Sequence, residues 1–312
     1  MGLMSTTTTA RPVRSRPRSW MTIALFLLPA IAVYGLFVLL PIAQAAIYSL
    51  FDWNGLTPLT DFVGLDNYTR ALNDNVFRTA AWHNVLIIVL SLTLQIPFAL
   101  WLALQLNRSF RGRTLLRILF FAPYVLSEVV TGIVFQLLLY PDGIVDRSLD
   151  MVGLGFLVQE WLADRSIVML TMFVVISWKY FGFHMILMLA GLQGIPRELE
   201  EAAAIDGASR GQTVRRIILP LLGPTIRVSV FLSIIGAIQI FDLVWATTRG
   251  GPFNASTTMA VYLVDYGIKR TQMGYGSAIA VILFIVCLIV ALAYLRFVMR
   301  RDTEGAVTLG GG

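Results

Sequence analysis

Four ionisable side chains, Glu128, Lys179, His184 and Asp242, stand inside stretches otherwise nearly free of charge. A carboxylate accepts hydrogen bonds, an ammonium group donates them and an imidazole does either. Such groups among apolar helices can grip a polar solute, carry a proton or a cation, or pair with one another. Their neighbours sharpen the choice. Tyr124 precedes Glu128 by four residues, which on a continuous helix puts both on one face, and Gln239, Asp242 and Trp245 share a face by the same rule. Trp178 and Tyr180 flank Lys179 with aromatic rings. A solute rich in hydroxyls needs donors and acceptors for its O–H groups and flat rings for its C–H faces. Tyr124, Glu128, Trp178, Lys179, His184, Gln239, Asp242 and Trp245 are therefore the candidate lining of a solute pathway. Packing competes with that role: Lys179 can pair with Asp242, and His184 can be a hydrogen-bonded core residue.

Other chemistries lack their parts. No GxxxxGK[ST] phosphate loop occurs, so the chain is not expected to bind ATP or its magnesium. With His83 and His184 as the only histidines, Cys287 as the only cysteine and neither HExxH nor GxSxG, no metal hydrolase or activated nucleophile can be assembled. The chain is read as a non-enzyme without a cofactor of its own.

A second constellation is polar. Arg197-Glu198-Leu199-Glu200-Glu201-Ala202-Ala203-Ala204-Ile205-Asp206-Gly207-Ala208 follows the interruption Gly194-Ile195-Pro196. Carboxylates in a first turn favour the helix dipole, and alanines give helix propensity with almost no side-chain bulk. A short helix is expected from about Pro196, with Gly207 taking the left-handed exit that glycine enters without strain. Ser209 and Gln212 are spaced as a capping box for a second helix, whose Val214, Ile217, Ile218 and Leu221 fall on one face. Pro220 and Pro224 are expected to separate that helix from the next apolar segment.

The elements that must hold these groups are set by composition. The 312 residues are 57% hydrophobic and 13% charged, with a mean hydropathy of +0.76. Those values define an integral membrane protein. Apolar segments long enough to cross a bilayer of about 30 Å run over 20–40, 85–106, 115–140, 167–192, 226–245 and 275–295. The fold class is all-α and polytopic, with six spans. A cleavable signal peptide is the competing reading of the first segment, because Ala43-Gln44-Ala45 resembles a cleavage site. Residues 51–82 and 141–165 read as loops. The domain division is a basic tail over 1–19, a membrane domain over 20–298 containing the polar loop 194–223, and a tail over 299–312.

Six spans put both termini on one side. With that side inside, most of the 24 basic residues also fall inside, at Arg11 to Arg18, Arg108 to Arg117, Arg197 to Arg227 and Arg296 to Arg301. The positive-inside rule then makes both termini and the polar loop cytoplasmic. The net charge of +6 follows from topology and calls for no nucleic acid.

The polar loop resembles the EAA signature of the permease subunits of bacterial ATP-binding-cassette importers. It carries Glu201-Ala202-Ala203, Asp206-Gly207-Ala208, Ile217 and Leu219-Pro220. Phe62-Val63-Gly64-Leu65-Asp66-Asn67-Tyr68, Phe241-Asp242-Leu243-Val244 with Gly250-Gly251-Pro252, and Met273-Gly274-Tyr275-Gly276-Ser277-Ala278 are similar to phrases of maltose-type, carbohydrate-importing permeases. The resemblance implies the type I importer permease architecture in the bacterial inner membrane. It also implies a coupling helix pressed into a groove of a cytoplasmic ATPase, with Glu201 and Asp206 orienting it, Ala202 and Ala203 setting a close fit, Gly207 its exit, and Ala208, Leu219 and Pro220 completing the motif. The implied partners are a second, homologous permease forming a heterodimer, two ATPase subunits carrying ATP and magnesium, and an extracytoplasmic solute-binding protein that delivers a carbohydrate, an oligosaccharide being the expectation. Alternatives are an importer of another small solute such as glycerol 3-phosphate, or an ion-coupled secondary transporter with Glu128 and Asp242 carrying the ion.

Overall fold

The computed structural model describes residues 20–299, so the predicted basic tail over 1–19 and the C-terminal tail from residue 300 lie outside the described residues. The chain divides into two units at Gln44. Helix α1 runs over residues 20–48, through the predicted end of the first span at Leu40, so that its last four residues belong to the second unit. It contains Pro29 and a π-helical turn at Gly35–Leu39.

The second unit is helical throughout its membrane segments. Its helices are α2 (Asp66–Asn73), α3 (Asn75–Leu106), α4 (Arg113–Val125), α5 (Glu128–Leu138), α6 (Ile144–Met151), α7 (Val168–Gln193), α8 (Arg197–Ile205), α9 (Arg210–Gln239), α10 (Asp242–Thr247), α11 (residues 259–269) and α12 (Met273–Val298). Among the described residues, five helices are long and apolar enough to span a membrane, and the bent pair α4 and α5 makes a sixth span if the two halves are taken as one.

Three sequence expectations are corrected here. The second span does not begin at Val85: its helix starts at Asn75, because the Asp74 carboxylate accepts from the backbone N–H groups of Val76 and Phe77 at 2.7 and 3.0 Å. This cap supplies the acceptor that the first helical turn lacks. The third span is broken. Leu126 and Ser127 are extended, and α4 and α5 meet at 98°. Pro220 and Pro224 do not separate two helices, since α9 is continuous through both. A π-helical turn at Val214–Ile218 precedes Pro220, as another at Ser91–Gln95 precedes Pro97 in α3. Proline has no N–H and its ring crowds the carbonyl one turn back, and a widened turn accommodates both defects without ending the helix. The extra residue also rotates the helix face. Val214, Ile218 and Leu222 pack inward, whereas Leu221, expected on that face, is exposed.

Helix α7 is the axis of this unit. It packs against α3, α4 and α9, and burial on several sides explains why it is apolar all round. Two core clusters stack along it. One joins Ile87, Met172, Val175, Ile176, Leu243 and Val244. The other joins Ile96, Leu102, Leu106, Met185, Met188, Leu192, Ile218 and Leu222. Contact between α7 and α4 is close at Gly182, where an added Cβ would run into the backbone carbonyl of Phe120.

A second break, at Ile240 and Phe241, separates α9 from α10. Its free backbone groups are satisfied from far away in the chain. The Asn84 amide donates to the carbonyls of Ala237 and Ile238 at 2.6 and 3.2 Å, and its oxygen accepts from Met259 N–H at 2.9 Å. Thr258 donates to the Ile240 carbonyl at 2.9 Å. Asn84 is 1% exposed. Asn84→Leu leaves these groups without their partner at a buried site, so a loss of about 2–4 kcal/mol is expected. The check is a lower thermal midpoint for the detergent-solubilised protein.

Candidate functional site

Both breaks open onto one cavity of about 380 Å³, half-way along α7 between the two core clusters. Five of the eight predicted pathway residues line it: Tyr124, Glu128, His184, Gln239 and Asp242. The remaining three do not. Trp178 packs edge-on against Phe135, 5.1 Å between ring centres. Trp245 stacks on Phe241 and lies beneath the Lys269 ammonium group, 4.2 Å from its ring centre. Lys179 is buried, 2% exposed, and donates to the Leu126 carbonyl at 2.5 Å rather than pairing with Asp242.

The lysine explains the bend. Breaking the helix after Val125 frees carbonyls that must find donors inside the membrane. Lys179 supplies one for Leu126, and Ser127 accepts from Thr131 backbone N–H and from its hydroxyl, each at 2.9 Å. Glu128 then begins α5 and Asp242 begins α10, each in a first turn where a carboxylate offsets the helix dipole. The shared helical faces expected for Tyr124 with Glu128, and for Gln239, Asp242 and Trp245, do not exist, because a break falls inside each group. Tyr124, Glu128, Gln239 and Asp242 meet in the cavity nonetheless, through the bend.

The wall is chemically mixed. The Tyr180 hydroxyl donates to the Glu128 carboxylate. His184 Nδ1 and Ser229 Oγ lie 2.8 Å apart. Tyr124 stacks on Phe183 with ring centres 4.8 Å apart and meets Tyr180 edge-on at 6.1 Å. Ser91, Gln95 and Ser233 add buried hydroxyl and amide groups. Sequence reasoning did not assign these three to the pathway. The signal for Gln95 was an amide inside an apolar run next to Pro97, whose π-helical turn spans Ser91 to Gln95.

At the end of α7, the polar loop folds as its sequence directs. Pro196 precedes α8, and Gly207 takes φ +74° as the left-handed exit, with Ala208 N–H reaching back to the Ala203 carbonyl at 2.9 Å. The Ser209–Gln212 capping box is formed, Ser209 N–H donating to Gln212 at 2.7 Å. The two faces of α8 differ. Ala203 is 7% exposed and faces its own chain, whereas Glu198, Glu201, Ala202 and Ile205, spaced as one helical face, are exposed. Ile205 is 87% exposed, an isobutyl-sized apolar knob among carboxylates. Leu219 and Pro220 lie within α9, and Asp206 is exposed between Ile205 and Gly207.

Apolar helices of membrane-spanning length with a polar loop leaving the central one define a polytopic membrane protein. Residues 95–302 match the family of binding-protein-dependent transport system inner membrane components, and the chain belongs to that family. It is 36% identical to a probable ABC transporter permease protein of Pyrococcus horikoshii over 90% of this chain and 96% of that one. It is 34% identical to the multiple sugar-binding transport system permease protein MsmF of Streptococcus mutans over 87% and 93%. In fold it superposes on a chain of a bacterial alginate ABC transporter crystallised with an alginate pentasaccharide-bound periplasmic protein, with a TM-score of 0.78 at 23% identity over 91% of this chain and 95% of that one. The chain is thus a multi-pass inner membrane transport subunit of the ABC importer class.

Proposed function

We propose that this chain forms part of the path by which a carbohydrate, delivered by an extracytoplasmic solute-binding protein, crosses the membrane at the expense of ATP hydrolysed on separate subunits. The observation that carries this reading is the placement of one hydroxyl- and aromatic-lined cavity half-way along α7, whose end runs directly into the exposed helix α8. The Streptococcus mutans relative is named for sugar transport, and a hydroxyl-rich cargo suits a wall of carboxylates, amides, serines and tyrosine rings.

In this reading Tyr124, Glu128, His184, Gln239 and Asp242 touch the cargo. Glu201, Ala202 and Ile205 meet the ATPase. Ala203, Gly207, Ala208, Leu219 and Pro220 shape the loop behind that face, and Asp206 orients it. Two ATPase copies bind ATP and magnesium, and a homologous permease completes the path. Both termini and α8 are cytoplasmic. Closure of the ATPases would move α8 and, through α7, the cavity wall.

Purification in mild detergent from the native membrane tests the assembly. Recovery of a second permease and an ATPase whose turnover rises with the sugar-loaded binding protein is expected. Recovery of this chain alone, inert toward ATP, would reject the reading.

A further inference from the structure

We infer that the cavity selects an uncharged sugar and that Asp242 is the residue that turns away sugars carrying carboxylates; this deepens the carbohydrate reading and rests on it. The cavity wall holds two carboxylates, Glu128 and Asp242, and among the described residues no arginine or lysine lines it. Two half-helices, α5 and α10, begin at the cavity. Bare helix starts would attract an anion, but each macrodipole is worth at most about half a charge, and each start already carries a full carboxylate. An incoming uronate would meet those carboxylates before the dipoles behind them.

The two carboxylates are not equivalent. Glu128 receives the Tyr180 hydroxyl, and the Lys179 ammonium, buried behind the wall and bonded to the Leu126 carbonyl, interacts with it from there. Its charge is compensated from behind. Asp242 is exposed and lines the cavity, and among the described residues nothing donates a hydrogen bond to its carboxylate or forms an ion pair with it. Its two oxygens are free to accept from a pair of sugar hydroxyls, the donors a neutral glycan offers in abundance. For a uronate the same oxygens supply like-charge repulsion in a site partly shielded from water, where Coulomb terms are stronger than in bulk. Tyr124, stacked on Phe183, offers the flat face a pyranose ring needs.

The test uses the assembled importer in nanodiscs without its binding protein, so that the cavity and not the delivering protein does the choosing. Probes are radiolabelled maltotetraose, xylotetraose and galactotetraose, with tetragalacturonate as the charged counterpart of the last. At least one neutral tetrasaccharide is expected to bind about tenfold or more tightly than tetragalacturonate. Asp242→Asn keeps the size and shape of a side chain on which, among the described residues, no hydrogen bond depends, so the fold is retained, and it should bring the ratio to within about threefold, mainly by strengthening uronate binding. Parity of tetragalacturonate with the neutral sugars in the unmodified complex, or an unchanged ratio in Asp242→Asn, would overturn the charge selection while leaving the carbohydrate reading in place. Binding of no sugar to either form would overturn both.

Discussion

An Ile205→Asp variant is expected to insert and fold normally and yet lose ATP-coupled uptake by about a hundredfold. The expectation comes from the asymmetry of α8. Ala203 is turned into its own chain and Ile205 is turned out, 87% exposed, on the face shared by Glu198, Glu201 and Ala202. A large apolar side chain left this exposed on a polar helix gains nothing from water. In a groove of a partner it becomes the anchor, and truncation of such anchors commonly costs about 2–4 kcal/mol. Replacing it with aspartate adds the cost of burying an unpaired charge and extends a face that already holds Glu198 and Glu201. Nothing inside the chain depends on Ile205, so thermal stability of the isolated permease should not move. Uptake in membrane vesicles and co-purification of the ATPase provide the readout. Full uptake with the ATPase still bound would show that α8 docks through another face.

Gly182→Leu is expected to have the opposite signature, a loss of the folded protein itself. An added Cβ at residue 182 meets the Phe120 carbonyl, and Phe121 Cα lies 3.1 Å from the same point. Both are backbone atoms of α4, so relief requires moving the whole helix away from α7. Overpacking against side chains already costs about 1–3 kcal/mol, and a backbone-to-backbone clash offers no rotamer to escape into. Displacing α4 also pulls the Leu126 carbonyl from Lys179 and disturbs the bend that brings Glu128 to the cavity. Little monodisperse protein should survive solubilisation, measured by fluorescence-detected size exclusion. Gly182→Ala should lower the thermal midpoint by several degrees, in keeping with a smaller but unavoidable clash. Wild-type behaviour of the leucine variant would contradict backbone-to-backbone packing of α7 on α4 at Gly182.

The contrast between these two sites mirrors what the sequence could and could not disclose. The polar loop was legible because its determinants are local. Ser209 and Gln212 form their capping box within four residues, and Gly207 turns the chain by its own backbone freedom. The carboxylates of the cavity were legible as isolated charges in apolar runs, since a membrane makes such residues conspicuous. The breaks beneath them were not. Residues 115–140 read as one continuous apolar helix, and only Lys179, some fifty residues away in the chain, provides the donor that lets the backbone open at Leu126. Asn84 does the same for the end of α9 from more than a hundred and fifty positions away. Local propensity carries no trace of such partners.

Prolines misled for a related reason. Pro220 reads as an ordinary stop signal, yet it follows a π-helical turn that absorbs its missing N–H within an uninterrupted helix, as Pro97 does inside α3. The inserted residue shifts every later position by one, which is why Leu222 replaced Leu221 in the core. Ala203 was misplaced because small size is equally suited to contact with a partner and with the chain's own helices, and only the fold separates the two.

The most direct test of the account is uptake of a labelled oligosaccharide into proteoliposomes that hold the purified complex, with ATP enclosed on the α8 side, the loaded binding protein on the other, and ion gradients dissipated. Uptake that requires both ATP and the binding protein, and that disappears with Ile205→Asp, is the predicted result. Uptake by this chain alone under a proton or sodium gradient, with no ATPase present and abolished by neutralising Glu128 or Asp242, would contradict it.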